Sequence, residues 1–292
     1  SEECGVTRLP VAAVVVRWKG GDEVQRCVAS LGDAGEVVVV DNGSADGGAE
    51  RLSRTFPEVA VEALAENLGF AGGVNHGVAA TTEPLVLILN PDAALGEGAL
   101  ATLVNHLETD SSLAGVAPAL LGGDGVWDHG WQCRRLPRWI DLGLGRSGRP
   151  AFGRPPVEPA VVGQPAAAAW LIRREVFVTL DGLDTTYHPA WWEDVDFCAR
   201  LQASGGAPRK WEVVPEARAV HQGGSSVPSL GIEAFLGVYH RNLARYALRH
   251  HPQRRRAIRA MLRVSLRMRA AVRPKQRSGF LAAWAAARQI LG

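Results

Sequence analysis

Cysteine is scarce in this chain. Cys4, Cys27, Cys133 and Cys198 stand far apart with no Cys-x-x-Cys pair, so neither a zinc ribbon nor a disulfide framework is indicated, and buried or incidental thiols are expected. No apolar run approaches the ~20 residues that span a bilayer. The opening Ser1-Glu-Glu-Cys-Gly lacks the basic and apolar regions of a secretory signal, so a cytoplasmic protein is expected. Acidic residues are missing altogether from Arg249 onward, although 12 Lys and Arg fall there; the preceding part holds 20 basic against 30 acidic residues, a net of −10. The overall charge of +2 thus conceals two parts of opposite electrostatic character. What is present is the composition of a globular protein: 292 residues, 47% hydrophobic and 21% charged, enough for one large domain with appendages.

The first third alternates strand and helix. Val11 to Val16 is an apolar strand, and Val24, Cys27, Val28 and Leu31 recur at helical spacing between Asp22 and Leu31. Glu36 to Val40 is a second aliphatic run, ending in the glycine-rich turn Asp41-Asn-Gly-Ser-Ala-Asp-Gly-Gly. A helix from about 49 to 56, a short strand at 59–63, a helix at 70–80, a strand at 85–89 and a helix from Gly98 to Leu107 follow. This order predicts an α/β fold with a mostly parallel central sheet and helices on both faces. In such sheets ligands bind beyond the carboxyl ends of the strands, where Arg17, Asp41 and Asp92 all fall. Residues 122–160 are rich in Gly, Pro, Arg and Trp without periodicity, which reads as a long excursion over the sheet or a mobile loop. Regular structure resumes at Ala166 to Ile172, then helices at 174–180, 195–203, 236–248 and 254–272. No internal repeat is present.

Three features carry chemistry. In Pro84-Leu-Val-Leu-Ile-Leu-Asn-Pro-Asp92, a strand apolar on both faces delivers one carboxylate where Pro91 ends the ladder. Asp92 there can take a cation or a hydroxyl, or simply cap the next helix. Trp191-Trp-Glu-Asp-Val-Asp-Phe-Cys-Ala-Arg200 gathers three carboxylates at a helix start, where capping is the plain reading; the paired tryptophans add apolar surfaces of the kind that stack on sugars. His221-Gln-Gly-Gly-Ser-Ser226 offers an imidazole with backbone and hydroxyl donors, a weak signal by itself.

Taken in order, six blocks resemble the family 2 inverting glycosyltransferases of GT-A fold, in their bacterial rhamnosyltransferase-like branch. They are Val11-Ala-Ala-Val-Val-Val, Val37-Val-Val-Val-Asp-Asn-Gly-Ser-Ala-Asp46, Asn67-Leu-Gly-Phe-Ala-Gly-Gly-Val-Asn75, Leu87-Ile-Leu-Asn-Pro-Asp92, Trp192-Glu-Asp-Val-Asp-Phe197 and His221-Gln-Gly-Gly-Ser225. The resemblance spans roughly residues 10–226. It implies a Rossmann-like GT-A catalytic domain over 1–235, with a nucleotide-sugar half at about 10–115 and an acceptor half at about 116–235, followed by a basic helical extension over 236–292. It implies transfer of a sugar, rhamnose or another hexose, from a dTDP- or UDP-sugar to an acceptor hydroxyl on a glycan, a lipid-linked sugar or a natural product.

Carried over by position, the resemblance makes Asp41 the partner of the pyrimidine base, with Ser44 nearby, and has Asn67, Gly69, Phe70, Asn75 and Asn90 line the donor. Asp92 and His221 would hold Mg2+ or Mn2+ on the diphosphate. Asp194 would be the general base, supported by Glu193, with Trp191, Trp192 and Asp196 toward the acceptor. The chemistry is coherent: a cation stabilises the departing diphosphate, and a carboxylate takes the proton of a poorly nucleophilic alcohol. Two departures stand out. Strand one runs into Arg17-Trp18-Lys19 rather than Thr-Tyr-Asn, so Arg17 is free to contact phosphate or stack on the base; and Asn90-Pro91-Asp92 replaces Asp-x-Asp, removing a carboxylate.

Beyond the blocks, Arg256, Arg259, Arg263 and Arg267 fall on one side of a helix, with Ile258, Met261, Leu262, Met268 and Val272 on another. This suits a helix lying on an anionic membrane surface, and equally one packed on the catalytic domain; no recognition motif supports nucleic acid as a partner. A homodimer is a further expectation. Competing functions are a sugar-nucleotide nucleotidyltransferase, for which the basic and glycine residues after the first strand are too few, and a non-catalytic nucleotide-sugar or membrane-binding module.

Overall fold

A computed structural model describes residues 8–206, 208–223 and 231–292. Cys4 and the Gly224-Ser225-Ser226 part of the loop after His221 lie outside the described residues. The first half runs β1 (Leu9–Arg17), α1 (Glu23–Ala29), β2 (Ala34–Asp41), α2 (Gly48–Thr55), β3 (Ala60–Ala63), α3 (Gly69–Ala79), β4 (Leu85–Leu89), β5 (Ala93–Leu95) and α4 (Ala99–Thr109). The second half holds β6 (Leu113–Leu121), α5 (His129–Gln132), β7 (Cys133–Arg134), α6 (Trp139–Gly143), β8 (Ala160–Val162), β9 (Gln164–Pro165), β10 (Ala169–Arg173), α7 (Arg174–Thr179), α8 (Glu193–Ala203) and β11 (Lys210–His221). Three helices end the chain: α9 (Ile232–His250), α10 (Arg255–Val272) and α11 (Arg277–Leu291).

The main sheet has the order β3-β2-β1-β4-β10-β6-β11-β5, with β8 also on β11. Strands β3, β2, β1 and β4 are mutually parallel, and β10 lies antiparallel between β4 and β6. The aliphatic runs follow from burial on both faces. Val11, Ala13 and Val15 join Leu85, Leu87 and Leu89 under α1 and α4, whereas Val14, Val16, Val86 and Ile88 face α3, α7 and α8. Helix α3 sits unusually close to the sheet: a Cβ on Gly77 would lie 2.5 Å from Val14 Cγ1, and one on Gly73 2.7 Å from Val16 Cγ1.

Two central strands escape sequence reading. In β11, Pro215 and alternating charges hide a strand that forms an irregularity between Val214 and Arg218 where it pairs with β6. In β6, Pro118 sits opposite that irregularity, paired with Val214. The segment 122–160 is a packed excursion: Trp127 lies against the core, and the fully buried Gln132 bonds Leu120 N, Pro118 O and Trp127 Nε1. The described cysteines, Cys27, Cys133 and Cys198, are all buried thiols.

A third apolar cluster joins α9, α10 and α11 to Tyr187, Trp192, Val195 and Ala199 at the start of α8. Helix α10 is thus packed on the protein, but not by the expected set: Ile258, Leu262, Leu266 and Ala270 form its buried row, while Met268 and Val272 are 64% and 73% exposed. Among the described residues no helix is long and apolar enough to cross a membrane.

Candidate functional site

Parallel pairing brings the ends of β1, β2 and β4 to one edge of the sheet, with Arg17 in register beside Asp41. The Arg17 guanidinium is not free for phosphate or base. It is buried, donates to Asp41 Oδ2 and to Asp46 Oδ2 at 2.8 Å, and is roofed by the start of α2. A Cβ on Gly48 would stand 2.4 Å from its Nη2, so a side chain there would require the guanidinium to shift. Asp41 Oδ1 accepts the Ser44 amide at 2.9 Å, and Ser44 Oγ accepts the Lys19 amide at 2.8 Å. These bonds fasten the turn after β2 to the end of β1, where Trp18 is 41% exposed.

The Asn67–Asn75 block serves mainly as a joint. Asn75 exchanges hydrogen bonds with the Leu183 backbone at 2.8 and 2.9 Å, which uses its amide on the protein rather than on a donor. Gly69 has φ +75, and a Cβ there would meet His188 Cδ2 at 2.8 Å and Pro189 O at 2.9 Å. Its amide donates to Asn67 Oδ1 at 2.8 Å, and Phe70 N–H donates to Pro189 O at 2.7 Å, with the Phe70 ring on the core. Asn42, which sequence reasoning passed over inside the Asp41–Asp46 block, bridges Leu68 N and Gly69 O at 2.8 and 2.9 Å.

The antiparallel pairing of β5 with β11 sets His221 opposite Ala93, and so beside Asp92. His221 Nε2 lies 3.3 Å from Asp92 Oδ1 and 3.4 Å from Asn90 Nδ2. Trp131 stacks on the imidazole, centroids 5.5 Å apart at 13°. Among the described residues no three His, Cys, Asp or Glu side chains group as a metal cage. The Asp92 carboxylate nevertheless suits Mn2+ or Mg2+, and the His221 imidazole suits Mn2+ better than Mg2+, provided phosphate oxygens and waters fill the remaining positions.

Asp194 approaches from the other half. Its Oδ2 accepts Gln164 Nε2 at 2.8 Å and Ala167 N–H at 3.4 Å, and its Oδ1 accepts Val195 N–H at 2.8 Å. The next residue, Ala168, accepts the Asn90 amide through its carbonyl at 2.9 Å. One short stretch before β10 therefore ties the Asp194 carboxylate to the strand end that carries Asp92. Glu193 is 5% exposed and its Oε2 has no partner. Burial, then the charge of Asp194, pushes Glu193 up to about 8, so it holds a proton at neutral pH. Burial also raises Asp194, against the pull of Arg134 and the Val195 and Ala167 amides. Of the two, Asp194 is better solvated by donors and is the one placed to be ionised, a division of labour suited to a base near neutrality.

The expected acceptor surfaces are elsewhere. Trp192 is 2% exposed, packed between Tyr239 and Tyr246 of α9, and Trp191 meets Phe235 edge-on at 4.8 Å. Both have positive φ, 71° and 84°, an arrangement that costs ~1–3 kcal/mol per non-glycine residue and persists only where surroundings enforce it. Asp196 is fully buried, bound by Arg200 and His250 at 2.7 Å each and by Tyr187 Oη at 3.2 Å. Burial raises its carboxyl, but the bonds from His250 and Arg200 outweigh that and hold it below the ordinary range. It fastens α8 to α9 and is not available to an acceptor. Gln164 was missed because an isolated glutamine in an apolar stretch carries no motif, although its burial at 0% marks it once the fold is seen.

This arrangement has relatives. The chain is 28% identical over 289 residues to the N-acetylglucosaminyl-diphospho-decaprenol L-rhamnosyltransferase of Mycobacterium tuberculosis, covering 89% of this chain and 91% of that protein. Its fold is similar to S. aureus TarS in complex with UDP-GlcNAc, at TM-score 0.59 and 14% identity over 97% of this chain and 82% of that one. It is also similar to the mannosyltransferase PcManGT of Pyrobaculum calidifontis in complex with GDP-Man and Mn2+, at TM-score 0.57 and 19% identity over 97% and 87% of the two chains. The sequence profile described as glycosyl transferase family 2 matches residues 13–181, more than half of the chain. The fold is therefore GT-A, and the protein is a glycosyltransferase belonging to family 2.

Proposed function

We propose that the protein transfers a hexose, rhamnose foremost, from a dTDP- or UDP-sugar to a hydroxyl of a lipid-linked sugar, with inversion at the anomeric carbon. The observation that carries this reading is the Asp194 carboxylate, held by three donors beside the buried Glu193 and joined through Ala167 and Ala168 to the Asp92 strand end. The mycobacterial relative, whose name specifies a decaprenol-linked acceptor, supports the choice of donor sugar and acceptor class. Family membership removes the basis for the nucleotidyltransferase and non-catalytic alternatives.

Asp194 takes the proton of the acceptor hydroxyl as that oxygen attacks the anomeric carbon from the face opposite the diphosphate, and the bond to the diphosphate oxygen breaks. Asp92 and His221 would hold a divalent cation, which when bound supplies positive charge at the leaving diphosphate. Asp41, with Ser44 beneath it, receives the base. The test is transfer by the full chain from dTDP-rhamnose, UDP-sugars and GDP-mannose to a polyprenyl-diphosphate N-acetylglucosamine, with the anomeric configuration of the product determined. Inverted transfer from a pyrimidine nucleotide sugar is expected; a retained configuration, or nucleotide binding without transfer to any hydroxyl, would refute the reading.

A lipid-linked acceptor calls for a membrane-facing surface, and α10 supplies a candidate. Val264, Met268 and Val272 form an outward stripe, 57%, 64% and 73% exposed, bordered by the exposed Arg256, Arg263 and Arg267. Apolar stripe, arginine border and absence of carboxylates from Arg249 onward together fit an anionic bilayer interface at the inner face of a membrane.

A further inference from the structure

We propose that Asn242, on the C-terminal helix α9, is a positioning residue that holds the turn carrying the general base. This rests on the reading of Asp194 as that base. The turn from Tyr187 to Trp192 belongs to no regular element apart from its first residue, and it enters α8 through two successive tryptophans at φ 71° and 84°. A backbone of this kind keeps its shape only where something outside it fixes its carbonyls. Asn242 does so: fully buried, it donates through Nδ2 to the carbonyls of Tyr187, Ala190 and Trp191 at 2.8, 3.0 and 3.1 Å. Arg245 Nη1 donates to Asn242 Oδ1 at 2.8 Å, and since arginine can only donate, this bond orients the amide with its N–H groups toward the turn.

The same helix supplies the other ties. Arg241 Nη2 donates to His188 O at 2.8 Å, Phe235, Tyr239 and Tyr246 pack on the two tryptophans, and His250 and Arg249 reach Asp196 at 2.7 and 3.5 Å. These ties run from His188, in the turn that enters α8, to Asp196 on its first turn. Asn242 touches no reacting atom; its action is on the place of the Asp194 carboxylate relative to Gln164 and Ala167. A base displaced by about 1 Å loses on the order of 100-fold in rate, while the Arg17, Asp41, Ser44 and Asp46 bonds at the ends of β1 and β2 do not involve this turn. The signature is therefore in kcat and not in donor binding.

The experiment is steady-state kinetics on the Asn242→Ala variant of this chain, with KM for the donor, Kd for UDP and dTDP, and Tm. Leu266→Ala, which opens the same apolar cluster on α10 away from the turn, is the control for stability loss alone. The expected result is a kcat reduced roughly 10- to 100-fold in Asn242→Ala with donor KM and nucleotide Kd within about twofold, and a kcat within about twofold of wild type in Leu266→Ala. A kcat retained in Asn242→Ala, or one that falls equally in both variants in step with Tm, would overturn the proposal. Should Asn242→Ala not fold, Arg241→Met decides, since it removes the bond to His188 and keeps the aliphatic stem. A several-fold loss of kcat at unchanged KM supports the proposal, and unchanged kcat overturns it. Asp194→Asn, assayed alongside, separates the two readings: turnover there removes the base assignment whatever Asn242 does.

Discussion

Replacing Glu193 by glutamine should remove a specific pH dependence of stability. Glu193 is buried with an orphaned oxygen, and its pKa rises from the ordinary 4.5 to about 8. Between these values the folded protein keeps a proton that the unfolded chain has lost. Stability conferred by the neutral carboxyl is therefore complete below about pH 4.5 and is lost as pH rises through about 8. One proton of difference corresponds to a slope of at most ~1.4 kcal/mol per pH unit, so about 2 kcal/mol should accumulate between roughly pH 5.5 and 7.5 with part of the proton shared with Asp194. For a chain of this length that is a fall of about 3 °C in Tm. Glutamine keeps the shape and neutrality of the protonated acid. Denaturant or thermal melts of both proteins across this range should show the wild type losing stability relative to Glu193→Gln as pH rises, with turnover near neutrality retained. Buried His240, pulled down to about 4 by burial, titrates in both proteins and cancels in the difference. Parallel stability profiles for the two proteins would refute the assignment of the proton to Glu193.

Other outcomes follow from the same structure. Gly77→Ala should cost about 1–3 kcal/mol, because its methyl would press on Val14 Cγ1 at 2.5 Å, while Gly32→Ala, with nothing within 4 Å, should leave the melting curve unchanged. His221→Ala should raise the Mn2+ concentration for half-maximal activity by roughly 10-fold or more, read by metal titration of chelator-treated enzyme; an unchanged curve would remove His221 from the cation site. Changing Arg256, Arg263 and Arg267 together to glutamate should lower partitioning onto phosphatidylglycerol vesicles by 100-fold or more, at about 1 kcal/mol for each basic residue lost. Equal sedimentation of both proteins, or equal binding to neutral vesicles, would count against the membrane face.

Much of the first half of the chain was legible from sequence because its strands are buried on both faces and so read as aliphatic runs. Val11 to Val16, Val37 to Val40 and Leu85 to Leu89 emerge where expected, with Asp41 and Asp92 at their ends. Strand β11 was not legible, because Pro215 and its charges break the alternation that marks a strand. The third C-terminal helix, α11, went unread beside the more strongly amphipathic α10. Within the site, residue type misled where tertiary packing decides: two tryptophans next to acids look like a sugar platform, yet Trp192 is the core of the joint to α9. Arg17 likewise looks like a phosphate ligand, but Asp46, distant in sequence, claims its guanidinium. Asn42, Gln164 and Asn242 act through backbone groups that only the fold brings near.

The central claim is that Asp194 is the base of a family 2 glycosyl transfer. It is tested most directly by kcat for sugar transfer in Asp194→Asn, measured with Kd for UDP and dTDP on the same preparation. The expected result is a kcat lowered roughly 100- to 10,000-fold with nucleotide affinity unchanged. Transfer at the wild-type rate in that variant would contradict it.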